Sequence, residues 1–252
     1  MNYSGIAMID EDTMYVAGGI NKKLDKINNN FFLFKPISRS LEKLPGMHDI
    51  RYTFPLVHYR NMVIAVGGRV YGNDNVSLQR KCEYFDLQTK EWVKMPDMHI
   101  KRCTCLAFIY QESLWVVGGY TDYLKRSSVV EKYDFELKQW TKLDFVLYQG
   151  FEAGHIVSTA PDTVTIIGGK IYGGECNYVH QINLQEKTIL NKKPMNYKRV
   201  LSKSAYSGRH FFVLGGNKLE SPNAEYLDMD TGNWSMVDIE GMGLVSNWKT
   251  FG

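Results

Sequence analysis

The sequence is organised by a Gly-Gly pair that returns about every 50 residues. Each pair follows a short apolar run, and the five pairs are Gly18-Gly19, Gly67-Gly68, Gly118-Gly119, Gly168-Gly169 and Gly215-Gly216. The steps between their first glycines are 49, 51, 50 and 47 residues. A period of this length indicates a repeat architecture, because such units bury their apolar surfaces only by packing on copies of themselves.

Two further features keep this period. An acidic residue is followed six residues later by a tryptophan in three repeats, as Asp86 and Trp92, Asp134 and Trp140, and Asp228 and Trp234. Lys35 with Leu41 and Asn183 with Ile189 keep the spacing in the other two repeats. An arginine stands 16 residues before the first glycine of three pairs, at Arg51, Arg102 and Arg199. Because all these features share one period, they predict one structural unit repeated five times.

Each repeat reads as four short strands separated by turn-forming residues. In the second repeat the predicted strands are roughly 52–59, 62–66, 81–86 and 91–95. The apolar runs before the glycine pairs are continuous rather than alternating, which predicts sheets that are buried on both faces. Such a sheet must pack face to face against its copies, and a ring of blades is the closed solution.

This pattern resembles the kelch repeat, whose marks are an apolar strand ending in Gly-Gly, a Glu-x-Tyr-Asp-like strand and a tryptophan six residues beyond the aspartate. The resemblance runs from about Ser4 to Val237. It implies an all-β fold, a kelch-type β-propeller of about five blades with four antiparallel strands each. We expect a single domain over residues 1–252, with blades at about 4–50, 51–101, 102–150, 151–198 and 199–240, and a C-terminal tail at 241–252.

The repeat residues are predicted to have structural roles. The ten glycines end the second strand of each blade, where a positive φ or a close backbone approach excludes a Cβ. The interfaces between blades are expected to be filled by Trp92, Trp140 and Trp234. In the other two repeats Leu41 and Ile189 stand at the same position.

Ring closure has more than one solution. Six blades are the commonest number in kelch propellers, so either this ring has five blades or a sixth is supplied elsewhere. Blade one can dock directly on blade five, or residues 243–251 can add an edge strand. The first and fourth repeats depart from the repeat pattern, either because they make specialised contacts or because their sequences have drifted. The fourth carries an extra turn at Gly173 and Gly174.

Composition excludes several classes of protein. Lys and Arg outnumber Asp and Glu by 30 to 27 without a long block of either sign, which argues against a dedicated nucleic-acid binder. The apolar runs are far shorter than a membrane span, and Asp10, Glu11 and Asp12 stand where a signal peptide would be apolar. We expect a soluble, cytoplasmic protein with reduced cysteines, and a cytoskeletal or ciliary structure is the more specific expectation.

Signatures of kelch-type enzymes are not found. The metal-binding residues of a copper radical oxidase and the acidic iron-binding motif of specifier proteins are not evident. Of the histidines, His48 and His99 occupy the same position in successive repeats, 19 residues before Gly67 and Gly118. Cys103 and Cys105 have the spacing of residues on one face of a strand, and we interpret them as buried small hydrophobes rather than as metal ligands. No catalytic residue, cofactor or metal is predicted.

A non-catalytic scaffold for protein–protein interaction is therefore the preferred function, as a subunit of a larger cytoskeletal or ciliary assembly. The alternatives are the substrate receptor of a cullin-type ubiquitin ligase adaptor and, less favoured, a propeller enzyme. Arg51, Arg102 and Arg199 either pair with neighbouring carboxylates or form a basic ring that binds acidic peptides. Tyr71, Tyr123 and Tyr172 recur in the loops after the glycine pairs, where they either anchor a partner or pack locally. Other proteins are the expected partners, with neither nucleic acid nor membrane.

Overall fold

Twenty strands form five four-stranded antiparallel sheets, one for each Gly-Gly pair, so the chain is a five-blade propeller as predicted. The computed structural model describes residues 3–21, 26–72, 75–121, 125–147, 149–216 and 224–237. Helices are absent from these residues. No membrane-spanning helix therefore occurs within the described ranges.

The strands of each blade lie side by side in chain order. Blade 1 comprises Gly5–Asp10, Thr13–Ala17, Phe31–Lys35 and Ser40–Leu44. Blade 2 comprises Leu56–Tyr59, Met62–Val66, Cys82–Asp86 and Trp92–Met95. Blade 3 comprises Leu106–Tyr110, Ser113–Val117, Val129–Asp134 and Gln139–Val146. Blade 4 comprises His155–Ala160, Thr163–Ile167, Val179–Asn183 and Thr188–Asn191, and blade 5 comprises Lys203–Ser207, His210–Leu214, Ala224–Asp228 and Asn233–Val237. Three short hairpins extend the connections that follow the glycine pairs: Ile20–Asn21 with Lys26–Ile27, Arg69–Gly72 with Asn75–Leu78, and Lys170–Ile171 with Gly174–Glu175.

The aspartate of the repeat caps the turn between the third and fourth strands. Asp86 Oδ1 accepts hydrogen bonds from the backbone N–H groups of Gln88 and Thr89. The same pattern recurs at Asp134, Asn183 and Asp228. Asn183 makes the same two hydrogen bonds as the aspartates, because this turn needs only a side-chain oxygen acceptor.

A row of backbone hydrogen bonds joins the blades near the propeller axis, where the first strands of neighbouring blades approach one another. Thr53 N–H donates to the carbonyl of Tyr3 (2.9 Å), and Thr104 N–H donates to that of Thr53 (2.8 Å). Ala153 and Leu201 continue the row at 2.9 and 3.0 Å. All five residues have a positive φ between 49° and 60°, which costs a non-glycine residue about 1 to 2 kcal/mol. This conformation also explains why the first strand of blade 2 begins at Leu56 rather than at residue 52.

The glycine pairs form a second set of bonds between blades. Gly19 and Gly68 donate from their N–H groups to the carbonyls of Arg51 and Arg102, both at 2.9 Å, and Gly119 and Gly169 repeat the contact at 2.7 Å. All ten glycines have a positive φ. A Cβ on Gly168 would lie 2.4 Å from the carbonyl oxygen of Arg199, so the close approach also requires glycine. At Gly215, by contrast, no described atom lies within 4 Å of such a Cβ.

The tryptophans occupy equivalent places between blades. Trp92, Trp140 and Trp234 are 7, 7 and 8% exposed, and each donates its Nε1–H over 2.8 Å to a carbonyl of the preceding blade's exit segment. The corresponding prediction for Leu41 is wrong, because this side chain is 63% exposed. Leu41 lies on the face of blade 1 that points away from blade 2, since Phe31 and Leu33 on the opposite face contact blade 2.

The junction between blades 5 and 1 differs from the other four. Among the described residues no backbone hydrogen bond joins these two blades. The edge strand considered at 243–251 lies outside the described residues. The described part of the propeller is therefore a row of five blades linked by four bonded junctions.

A pair of substitutions at equivalent repeat positions tests this packing. Trp140→Ala should lower the free energy of unfolding by about 3 to 5 kcal/mol, because it leaves a cavity between blades 2 and 3. Leu41→Ala should change it by less than about 0.5 kcal/mol, because the side chain is already exposed. Urea denaturation of both variants measures the difference, and equal losses would contradict the described arrangement.

Candidate partner-binding site

One face of the propeller carries Tyr172 and the three repeat arginines, which are predicted to contact a partner. Successive strands run in opposite directions, so the loops after second strands and the segments that lead into each next blade emerge on the same side. The bond from Gly19 to Arg51 joins one loop and one segment of this kind. We call this side the Gly-Gly face, defined by the five glycine pairs and the segments that contain Arg51, Arg102, Phe151 and Arg199.

The three repeat arginines are buried beneath this face. Arg51 is 0% exposed, and its Nη1 donates to the carbonyls of Gly67 and Lys81 at 2.8 and 2.9 Å. Its Nη2 bonds to Glu83 Oε1 at 2.7 Å. Arg102 with Glu131 and Arg199 with Glu225 repeat the ion pair at 2.5 and 2.8 Å.

The paired carboxylates are also bonded to the segment that carries each arginine. Glu83 Oε2 accepts from the backbone N–H of His48 at 2.8 Å, and Glu131 and Glu225 accept equivalent bonds from His99 and Asn196. The geometry is thus that of structural pairing. None of the three guanidinium groups reaches the surface, so they do not form a basic ring open to an acidic peptide.

Blade 4 has a phenylalanine and a histidine in place of this ion pair. The carbonyl of Phe151 accepts the bond from Gly119, as that of Arg102 accepts the bond from Gly68, so Phe151 is the structural equivalent of the arginine. His180 takes the place of the glutamate and Ile189 that of the tryptophan. Sequence reasoning missed Phe151 because it stands 17 rather than 16 residues before Gly168. The signal that could have revealed Phe151 is the single residue inserted between it and Gly168.

An ion pair nearer to solvent links blades 3 and 4 instead. Arg126 Nη2 lies 2.8 Å from Glu152 Oε1, with the two side chains 21 and 10% exposed. Thr104 donates its hydroxyl to the other oxygen of Glu152 at 2.9 Å.

A narrow pocket with a cavity volume of about 20 Å³ lies at this altered junction. Its walls are mainly apolar, and the residues that line it are Leu147, Gln149, Phe151, Ile166, Gly168, Ile171, Cys176, Tyr178, His180, Ile182 and Ile189. Three of them, Gly168, Tyr178 and His180, correspond to the three groups that Arg51 contacts in blade 2. The pocket therefore lies where three of the other junctions hold a guanidinium group.

Tyr172 is the most exposed large side chain recorded on the Gly-Gly face, at 96% exposure. It belongs to the turn of the hairpin formed by Lys170–Ile171 and Gly174–Glu175, directly after Ile171 of the pocket wall. Tyr123 and the side chain of Tyr71 lie outside the described residues. Tyr172 alone of the three can therefore be placed.

The cysteines are buried and free. The prediction that Cys103 and Cys105 share one face of a strand is wrong, because Thr104 between them has a φ of 49° and the strand begins at Leu106. Cys103 Sγ accepts from Arg69 Nε at 2.9 Å, whereas Cys105 packs in the core between blades 2 and 3. Burial raises the pKa of both thiols, that of Cys105 to about 12. No group of three or more metal-binding side chains occurs within the described ranges.

His155 is a neutral group at the junction of blades 4 and 5. Its Nδ1 accepts the backbone N–H of Ser204 at 3.1 Å, which requires that nitrogen to be unprotonated. Burial, assisted by the Lys203 ammonium group, lowers the pKa of His155 from 6.5 to about 4.

Comparison with known proteins finds kelch repeats in this chain. A family model described as the Kelch motif matches residues 50–99 and 101–144. Kelch repeat and BTB domain-containing protein 8 of Homo sapiens is 23% identical over 188 residues, covering 56% of this chain and 31% of that protein. Alpha-scruin of Limulus polyphemus is 26% identical over 134 residues, covering 50 and 14% of the two chains.

One relative aligns with nearly the whole sequence. An F-box/kelch-repeat protein of Arabidopsis thaliana is 23% identical over 251 residues, which is 97% of this chain and 60% of that protein. The chain thus spans less than two thirds of the length of each of these three relatives. The solved structure of YjhT has a TM-score of 0.73 at 13% identity, covering 86% of this chain and 73% of its own, a likeness of fold alone.

A double-mutant cycle tests the buried ion pair. Arg102→Leu should lower the free energy of unfolding by about 3 to 5 kcal/mol, because Glu131 stays buried without its counter-ion. Adding Glu131→Leu should recover part of this loss. As a control, Arg60→Leu, which removes an exposed pair with Glu112, should cost less than about 1 kcal/mol. A double variant as destabilised as the sum of the two single variants would refute the pairing.

A pH series tests His155. Because its pKa is lower in the folded than in the unfolded chain, its contribution to stability is complete above pH 6.5 and is lost as the pH falls to about 4. In His155→Gln the amide oxygen can still accept the Ser204 N–H, but the group does not titrate. The free energy of unfolding should therefore fall less steeply across this window in the variant, as measured by urea denaturation. Parallel curves for the two proteins would show that His155 does not carry the effect.

Proposed function

We propose that this chain, which belongs to the kelch-repeat family, is a non-catalytic scaffold that binds other proteins through the Gly-Gly face. The observation that carries the proposal is Tyr172, an almost fully exposed aromatic side chain held on a short hairpin beside an apolar pocket. Tyrosine offers a large contact area with few torsions to immobilise, and it is enriched among residues that dominate binding energy. A propeller presents such loops from a rigid base, so little ordering is required on binding.

The chemistry of the buried groups supports a non-catalytic function. The arginine and glutamate side chains beneath the Gly-Gly face bond to one another and to backbone groups. The Cys82 and Cys105 thiols, with pKa values raised to about 12 by burial, are poor nucleophiles at neutral pH. These residues hold the blades together and leave binding to the loops.

Two finer assignments extend this proposal. We favour a subunit of a larger cytoplasmic assembly, cytoskeletal or ciliary, with residues 1–252 as one propeller domain and with neither nucleic acid nor membrane as a partner. The alternative is the substrate-receptor part of a cullin-type ubiquitin ligase adaptor, since names among the relatives combine kelch repeats with a BTB domain or an F-box. Recovery of cullin subunits with the tagged protein would favour the adaptor, and recovery of filament or axonemal proteins would favour the scaffold.

Substitution of Tyr172 tests the proposed surface. Tyr172→Ser in the tagged full chain should reduce the recovery of cross-linked partner proteins about tenfold, the effect of losing roughly 1.4 kcal/mol of binding energy. Ile37→Ser is the matched control, since Ile37 is 76% exposed but lies in the turn before the fourth strand of blade 1, on the opposite side of the propeller. Quantitative mass spectrometry compares the two variants. If Ile37→Ser loses the partners and Tyr172→Ser keeps them, the binding surface is not the Gly-Gly face.

A further inference from the structure

The charges of the propeller are divided unequally between its two faces. Apart from the three buried arginines, the described connections on the Gly-Gly face carry eleven Lys and Arg residues and four Asp and Glu residues. The described turns on the opposite face carry six Lys and Arg residues and eight Asp and Glu residues. A surface with such an excess of positive charge attracts negatively charged partners and speeds their association.

In blade 2 the positive charge of this face is neutralised by the protein itself. Lys81 Nζ lies 2.7 Å from Asp49 Oδ1. Arg80 Nε lies 3.1 Å from Asp97 Oδ2. Because these cations already have carboxylate partners, they add little attraction for another molecule.

Lys170 of blade 4 has no such partner. It begins the hairpin that carries Tyr172, and its backbone N–H and carbonyl bond to those of Glu152 at 2.8 and 2.9 Å. The hairpin is thereby held against the segment that leads into blade 4. Glu175 faces Lys170 across the hairpin, but one of its carboxylate oxygens is buried. Among the described residues no ion pair involves Lys170.

Lys198 lies beside the other strand of the same hairpin. Its neighbour Arg199 donates its backbone N–H over 3.1 Å to the carbonyl of Cys176, which directly follows the strand Gly174–Glu175. Lys198 is exposed, and it forms no ion pair within the described ranges. Two lysines therefore lie next to the Tyr172 hairpin without a carboxylate of the protein to neutralise them.

Exposed tyrosines are concentrated at the same place. Tyr172, Tyr178 and Tyr197 are 96, 41 and 37% exposed. The segments that hold the last two are joined by a backbone hydrogen bond from Met195 N–H to the carbonyl of Asn177 (2.9 Å). Phenolic hydroxyl groups and ammonium groups both donate hydrogen bonds to carboxylates. We call the following residues the blade 4 patch: Lys170, Tyr172, Tyr178, Tyr197 and Lys198.

We propose that the partner bound at the Gly-Gly face presents an acidic segment whose Asp and Glu side chains bind the blade 4 patch, an inference that rests on the protein-binding function proposed above. The two lysines bind carboxylates of this segment, and Tyr172 supplies a large uncharged contact beside them. The repeat arginines take no part, because their guanidinium groups are buried beneath the surface. Specificity for acidic partners thus comes from blade 4 alone.

An acidic protein segment fits the blade 4 patch better than a nucleic acid. A nucleic acid carries a phosphate at every nucleotide and is bound through rows of free cations. The blade 4 patch has only two lysines, and the neighbouring Arg126 is already paired with Glu152 at 2.8 Å. A protein segment can match two cations with two carboxylates and place uncharged side chains against the tyrosines.

NMR titration tests the assignment with the peptide (Glu-Gly)4 as the probe and the uncharged peptide (Gln-Gly)4 as its control. The acidic peptide should cause saturable shifts of the amide signals of Gly173 and Gly174, and should leave that of Gly208 on the opposite face unchanged. The neutral peptide should bind about fivefold more weakly, because it lacks the charges. Raising NaCl from about 50 to about 300 mM should weaken the acidic peptide about threefold. Absence of saturable shifts, or equal affinity for the two peptides, would overturn the assignment.

Two further probes separate a carboxylate site from a general attraction for anions. A thymidine tetranucleotide and phosphatidylserine vesicles both carry negative charge on phosphate groups. Each should bind more weakly than (Glu-Gly)4. Equal or tighter binding of either would show that the patch receives a nucleic acid or a membrane surface rather than a protein segment.

Paired lysine variants locate the binding. Lys170→Gln combined with Lys198→Gln removes both charges of the patch and should weaken (Glu-Gly)4 about tenfold. Lys138→Gln combined with Lys187→Gln is the matched control, because it removes two charges from exposed turns on the opposite face. The control should change the affinity less than about twofold, since distant exposed charges are screened by salt. Equal losses in the two proteins would mean that net charge alone governs binding, and the patch assignment would be wrong.

The same variants separate this inference from the proposed function. In the tagged full chain, Lys170→Gln with Lys198→Gln should reduce partner recovery as Tyr172→Ser does, while the control pair should not. If the patch variant keeps the partners and Tyr172→Ser loses them, the acidic assignment is wrong and the protein-binding surface stands. If both keep the partners, the proposed function itself is wrong.

Discussion

The propeller depends on the contact between the second glycine of one blade and the segment that leads into the next. A carbonyl oxygen lies so close to the first glycine that a Cβ on Gly18 would meet that of Arg51 at 2.4 Å. The N–H of Gly19 bonds to the same oxygen at 2.9 Å. This approach fixes the distance between neighbouring sheets, and the buried ion pairs, the tryptophans and the row of bonds along the axis all require that distance. Because the sheets are apolar on both faces, none of them would be stable without such a neighbour.

Much of this architecture could be predicted from the spacing of a few residue types. The period of the glycine pairs gave the number of blades, and the continuous apolar runs gave sheets with two buried faces. The step from Asp228 to Trp234 placed the fourth strand of blade 5, which spans Asn233–Val237. These features are local in the chain, and each has a single structural solution.

The remaining features depend on what each residue faces. Arg51 has the same spacing whether it points outward or toward Glu83, and only the fold shows that it is 0% exposed. Leu41 keeps the tryptophan position, but its burial depends on a neighbouring sheet that covers that face. Phe151 was missed because one inserted residue shifts its register, and the pocket beside it arises from side chains that are missing. Spacing alone reports neither a direction nor an empty volume.

The different composition of the junction between blades 3 and 4 has a consequence for cooperativity. In a linear array each unit is stabilised by its nearest neighbours, so the array unfolds as one piece only if all couplings are comparable. Three junctions contain a fully buried ion pair, whereas this one relies on apolar contacts and on the partly exposed pair of Arg126 with Glu152. The coupling between blades 3 and 4 therefore rests on apolar packing and on one ion pair that dissolved salt screens more than it screens the fully buried pairs.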